Sequence, residues 1–283
     1  MATRFQIRDP RHKTPAWVDA YPHDAADQLL AALPADGVHA LVDNAYDTDL
    51  ARRCRRGFPT LALQSIYAGR YEGPGLDDIA PTLVRLPDGP AERRAFLAFL
   101  LNETSGKPML SFLQASAPAA DPLTHLRNRM EAEDHEGTAF VIRVADTNAL
   151  DAVLEVFDDA QRRRLLANVR WWYFRRDGRL QCAGHATGEP DDAESSPFRC
   201  TAAQMQKLDA LARPGAMLGF IQTVPQWLGH LVGKPSQAYA CIQTVLASVD
   251  SQAPTHDAAV VRLVAVALYE AGLLQAPPQL ANP

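Results

Sequence analysis

The residues best able to do chemistry in this 283-residue chain are its serines, eight histidines, four cysteines and two arginine clusters. A serine hydrolase on an α/β sheet needs its nucleophile in a G-x-S-x-G elbow. Ser111 and Ser116 have no glycines at that spacing. A phosphate loop needs G-x-x-x-x-G-K-[ST], or G-x-G-x-x-G after a strand. The nearest stretch is GRYEGPG at 69–75, which lacks the Lys-Ser/Thr pair and has Pro74 where a backbone N–H should face phosphate. It reads as an ordinary loop. Zinc needs closely spaced His, Cys or carboxylate ligands, but the histidines are scattered, with no H-x-x-x-H. His39 and Asp43 form an imaginable acid–base pair, although a strand-end residue and a loop cap are the simpler reading. No metal, cofactor or catalytic residue is expected.

Other features point to binding. Arg52, Arg53, Arg55 and Arg56 cluster, as do Arg162, Arg163 and Arg164. At helical spacing these are solvated faces, or else a patch for phosphate or an acidic partner. Trp171, Trp172, Tyr173 and Phe174 put aromatics on both sides of a strand. Such a strand is either central and buried on both faces, or an edge whose Trp171 and Tyr173 anchor a partner. Met217, Phe220, Ile221, Val224, Trp227, Leu228 and Leu231 share one helical face. That face is core between two domains, or a groove for a partner segment. The candidate partner-binding residues are therefore Trp171, Tyr173, Phe220, Val224, Trp227 and Leu231.

The elements that must position them follow from pattern. Residues 39–44, 60–66, 82–86, 109–115, 139–144 and 170–176 read as strands. A helix capped by Asp47 or Thr48 runs to Arg56 and stops at Gly57. Helical spacing recurs over 91–102 and 150–157, and Asp121-Pro122 is a helix start. Asp158 with Gln161, and Thr201 with Gln204, have capping-box spacing. Asp177-Gly178 is a tight turn into 179–183. Strands and helices interleave over 38–183, which predicts an α/β layered domain with a mixed or mostly parallel sheet. Residues 184–197 read as a linker or exposed loop. Beyond them lies a small all-α domain, with a helical face broken at Pro225 and helices over 235–249 and 257–274. The expected organisation is an N-terminal arm (1–22), an α/β domain (23–184) and a helical domain (198–283).

Composition narrows the class. Hydrophobic residues make up 47% and charged residues 22%, and 28 Lys+Arg against 33 Asp+Glu leave a net charge of −5. That is globular, with ample chain for a core. The acidity argues against a nucleic-acid-binding body. Cys54, Cys182, Cys200 and Cys241 are scattered and read as reduced thiols. No signal-peptide pattern is visible at the N-terminus, and the apolar stretch 258–274 is interrupted by Arg262 and Glu270, too short to span a bilayer. The expected location is the cytoplasm.

Four stretches in order carry a family resemblance. They are HALVDNAYDTDL (39–50), IYAGRYEGPGLDDIAPTLVRLP (66–87), KPMLSFLQAS (107–116) with DPLTHLRN (121–128), and FVIRVADTNALDAVLEVFDDAQRRRLLANVRWWYFRRDG (140–178). Together they resemble the adaptor chaperones of the bacterial type VI secretion system, first catalogued as a domain of unknown function. In that family the first stretch runs Tyr-Ala-Leu-Leu-Asp and the second leads to A-P-Y-L-V-x-L. The third is a strand G-x-x-x-x-S followed by a helix with H-L-R. The fourth runs R-F-Y-D-P. Here Val144–Thr147 replaces the usual Phe-Tyr-Asp-Pro context, while Arg143 and Asp146 are kept, and Phe112 stands where the family has small residues before Ser116.

The resemblance implies a non-enzymatic cytoplasmic adaptor. It would hold a toxic effector protein by its N-terminal region and help load it onto the spike protein VgrG or its PAAR tip, with no membrane or nucleic-acid partner. The alternative is an uncharacterised hydrolase-like α/β enzyme built around His39, Asp43 and a serine. A nucleic-acid binder using the arginine clusters is a third reading, whose mark would be steep salt dependence.

Overall fold

In a computed structural model of the protein, residues 17–115, 121–184, 197–249 and 257–275 are described. Ser116, most of the expected linker and the first part of the expected arm lie outside them. The chain opens with α1 (Ala25–Ala32), β1 (Val38–Val42), a 3-10 turn (Asn44–Tyr46), α2 (Leu50–Gly57), β2 (Leu63–Ser65), α3 (Leu76–Ile79), β3 (Thr82–Arg85), α4 (Pro90–Thr104) and β4 (Leu110–Ala115). It continues with α5 (Pro122–Asn128), β5 (Glu131–Glu133), β6 (Ala139–Val141), α6 (Thr147–Val156), α7 (Asp159–Leu165), β7 (Val169–Phe174) and β8 (Leu180–Gly184). The last part holds β9 (Phe198–Arg199), α8 (Ala202–Thr223), α9 (Pro225–Leu228), β10 (His230–Leu231), α10 (Pro235–Ala247), α11 (Ala258–Glu270) and β11 (Leu274–Gln275).

The central sheet has the order β2-β3-β1-β4-β7-β8, and every neighbouring pair in it is antiparallel. This corrects the expectation of a mixed or mostly parallel sheet. β1 and β2 do run parallel across α2, but β3 lies between them. β3 and β4 run parallel across α4, but β1 lies between them. Alternation of strands and helices reveals the crossovers and not which strand fills the gap they leave.

Both faces of the middle of this sheet are covered, so β1, β3 and β7 are rich in buried apolar residues, while the edge strands β2 and β8 are not. Val38, Ala40 and Val42 of β1, Phe112 of β4 and Trp172 and Phe174 of β7 pack with Leu29, Leu50, Phe96 and Leu97 from α1, α2 and α4. The alternate residues Leu41, Leu113, Trp171 and Tyr173 pack on the other face with Leu126, Leu150, Val153 and Leu165 from α5, α6 and α7. A third core joins Met217, Leu218 and Ile221 of α8 to Ile242 of α10 and Val264 and Leu268 of α11. The helix α8 reaches both: Met205 and Leu208 near its start pack against the sheet-side core.

Residues 17–22, expected within a loose arm, are tied to the body. The N–H groups of Trp17 and Val18 donate to Gly106 O, and Asp19 N–H donates to Arg176 O at 2.9 Å. The buried Asp19 carboxylate accepts from Ser236 N at 2.8 Å and Ser236 Oγ at 2.7 Å, in the first turn of α10. The Trp17 ring lies against Gly219 of α8, where an added Cβ would stand 2.5 Å from Cζ3. One short segment thus bonds to the sheet side and to α10 and packs against α8. Among the described residues no helix is long and apolar enough to cross a membrane.

Candidate binding cleft

A cleft of about 710 Å³ opens between the sheet-bearing part and the C-terminal helices. One wall is α6 with residues 140–143 and the turn after β7, and the other is α8 and α10. Trp17 and Tyr46 also line it.

Two of the motif stretches meet in this wall. Asp43 follows β1 and caps the 3-10 turn, accepting from Ala45 N at 3.0 Å. Its other oxygen accepts from Arg143 Nη2 at 2.7 Å. Asp146 caps α6 through Asn148 N at 2.9 Å and accepts from the Tyr46 hydroxyl at 2.7 Å. Arg143 lies 3.8 Å from Asp146 and 5.5 Å from the centre of the Tyr46 ring. Burial pushes the Asp146 carboxyl above the usual range, and the bond from Tyr46 and the nearby charge of Arg143 only partly offset it. Burial, reinforced by Asp146, pushes the Tyr46 phenol up as well. Burial alone would pull the Arg143 guanidinium down, but Asp43 and Asp146 hold it above its ordinary value. The cluster is a braced corner in which each acceptor already has a donor.

The turn after β7 brings further charge. Arg175 Nε donates to Asp151 Oδ2 at 3.1 Å, and the Tyr173 hydroxyl donates to Asp151 Oδ1 at 2.8 Å. Arg179 pairs with Asp177 at 2.7 Å, and Glu155 pairs with Lys207 at 3.3 Å. Arg176 is held differently: Nη1 donates to Trp17 O at 2.9 Å, and the guanidinium carbon sits 3.9 Å from the centre of the Tyr239 ring.

The candidate residues named from sequence separate. Trp171 is fully buried, with Nε1 donating to Ser111 Oγ at 3.0 Å, and Tyr173 is buried beside it. β7 lies between β4 and β8, so neither aromatic sits on an edge or offers an outward anchor. The helical face breaks as Pro225 implied, with α8 ending at Thr223 and α9 starting at Pro225. Phe220 and Leu231 pack partly buried against the helical core, and Val224 is half-buried in the joint. Trp227 alone turns outward and is 74% exposed. Near it Tyr269 donates to Leu228 O at 2.6 Å, and Leu263 and Val266 are exposed along the same helix α11. The six residues therefore do not form one surface.

The imagined acid–base pair is not made. Asp43 is engaged with Arg143, and His39 carries a buried Nδ1 with no hydrogen-bond partner. Three of the clustered arginines are paired with carboxylates: Arg52 with Asp49, Arg53 with Asp47 and Glu103, and Arg162 with Asp159. Among the described residues no group of three His, Cys, Asp or Glu side chains is placed to hold a metal ion. Sequence reading missed Trp17, Asp19, Arg176 and Tyr239. None of them carries a motif signal of its own; Trp17, Arg176 and Tyr239 line the cleft, Asp19 bonds Ser236 in its wall, and only the fold brings them together.

No curated protein and no solved structure matches the chain. The stretch from β1 into α7, residues 38–164, which supplies Tyr46, Arg143 and Asp146 to the cleft wall and Asp43 to brace Arg143, matches the family described as Domain of unknown function (DUF4123).

Proposed function

We propose that this protein is a non-enzymatic adaptor that grips a type VI secretion effector and helps load it onto the VgrG/PAAR spike. The family matched over residues 38–164 is associated with type VI effector adaptors, which supports the reading. The observation that carries it is the cleft of about 710 Å³, whose one wall is built by that stretch together with the turn after β7 and whose other wall is built by helices outside it. A cleft of this size accommodates a few side chains of an extended or helical segment. Its polar corner is internally satisfied, so it serves as a rigid wall, and apolar residues such as Phe140, Leu208 and Leu211 offer contact area. The exposed Trp227 is a second contact point, of the kind that anchors protein interfaces.

The test is co-expression with the toxin encoded beside this chain's gene. A one-to-one complex on gel filtration, and loss of toxin delivery when this protein is deleted, are the expected results. Failure to form any complex with toxin or spike, in cells or with purified components, overturns the proposal.

A further inference from the structure

The charges of the cleft do not cancel locally. Asp146 is taken by Tyr46 and Arg143, Asp151 by Tyr173 and Arg175, Asp177 by Arg179 and Glu155 by Lys207. Arg176 is left over. Among the described residues it has no carboxylate within ion-pair distance, and its polar contacts are Trp17 O and the face of Tyr239. Asp146 and Asp151 act on it only through space. A guanidinium carries five N–H donors in a planar fork suited to a carboxylate, and here one of them is used. Withdrawing such a cation from water without a counter-charge is unfavourable, so its retention calls for a compensating ligand.

The surroundings keep the place open. The Tyr239 ring covers one face of the guanidinium, and Tyr239 is itself fixed by its bond to Leu211 O at 2.9 Å. The bond to Trp17 O fixes one edge. Toward α8 the neighbour is Gly215, where an added Cβ would still stand 3.9 Å from Nη2. The cleft-lining positions of α8 around it are Ala212, Gly215 and Ala216, none long enough to fill the space.

We propose that Arg176 is a receptor for a carboxylate carried by the polypeptide that enters this cleft, either an aspartate or glutamate side chain or a chain-terminal carboxylate. This rests on the adaptor reading given above. It adds a selection rule: the gripped segment is acidic at one position and apolar around it.

The first measurement needs no ligand. Gly215→Asp places a carboxylate beside Nη2, and Gly215→Asn is its uncharged isostere. The Asp variant is expected to melt higher than the Asn variant, and the difference is expected to vanish in an Arg176→Gln background. Equal melting points in both backgrounds overturn the inference and leave the adaptor reading standing. The second measurement uses fluorescent Leu/Ala heptapeptides with one central Glu or its Gln isostere, each with a free or amidated C-terminus. A carboxylate-bearing peptide is expected to bind about tenfold tighter than the uncharged one, since charged hydrogen bonds are the strong ones, and Arg176→Gln is expected to bring the two together. Which carboxylate confers the gain separates side chain from chain end. Binding without preference overturns the inference alone. If the Gly215 variants couple to Arg176 but no peptide binds, the overturned part is the polypeptide-gripping reading of the cleft.

Discussion

Asp43 shows how one side chain joins local and long-range order. It caps the turn after β1 and meets Arg143, one hundred positions away in sequence. Its side chain is almost wholly buried while Arg143 is half exposed, so Asp43→Ala removes a cap and an ion pair but lets the guanidinium rehydrate. The expected loss is about 2 kcal/mol, read by urea unfolding, with Asp43→Asn losing less. His125 behaves differently. Burial, with a further push from Arg129, brings its pKa down to about 3, and it bonds to Leu165 O at 3.0 Å. A base whose folded pKa lies below its unfolded value favours the fold when neutral. Its contribution is full above about pH 6.5 and is lost as pH falls toward 3, with a slope of up to about 1.4 kcal/mol per pH unit. Stability measured from pH 7 to pH 4 should fall less steeply in His125→Phe, provided that variant folds; an unchanged slope in a folded variant refutes the assignment.

Among the elements, the helix starts were the most legible. Asp158 with Gln161 and Thr201 with Gln204 form capping boxes in the structure. What spacing could not convey is that the boxes interlock: Gln204 Nε2 donates to Gln161 Oε1 at 2.6 Å and to Val156 O at 3.2 Å. The starts of α7 and α8 are thereby pinned to the end of α6, which lines the cleft. The packing of α8 depends on Gly219 against Trp17. Gly219→Ala is expected to lower stability by about 1–3 kcal/mol through overpacking. Combining it with Trp17→Leu should recover much of the loss, and a strictly additive double variant in thermal melts refutes the contact. The aromatic run of β7 was legible as a strand, but whether it was central or an edge was not. That depended on β8 closing one side and β4 the other.

At the scale of the whole molecule, the segment 17–22 sets how the C-terminal helices sit against the sheet. Asp19 bonds the start of α10 across 217 positions of sequence. Asp19→Ala is expected to cost about 1–2 kcal/mol, as loss of a helix cap does. The more telling readout is hydrogen exchange: amides in the first turn of α10 should exchange faster while those of β1 and β4 remain protected. Uniform loss of protection across both regions shows instead that Asp19 has no local role. Because Trp17 lines the cleft and its carbonyl holds Arg176, the same segment also positions the cleft's uncompensated cation.

Local physics determined much of this protein from its sequence alone. The period of the apolar residues placed most strands and helices, and most caps and prolines marked their ends, although α2 follows Asp49 without a side-chain cap and the part expected to be all-α also holds the short strands β9, β10 and β11. Periods, caps and prolines depend on contacts within a few residues, which a linear pattern records. The antiparallel strand order, the burial of Trp171 and Tyr173, the outward turn of Trp227 and the meeting of Trp17, Arg176 and Tyr239 were decided only by tertiary structure. Each depends on which distant segment supplies the neighbour, and interposing β1 between β3 and β4 changes every pairing around it without altering one local signal.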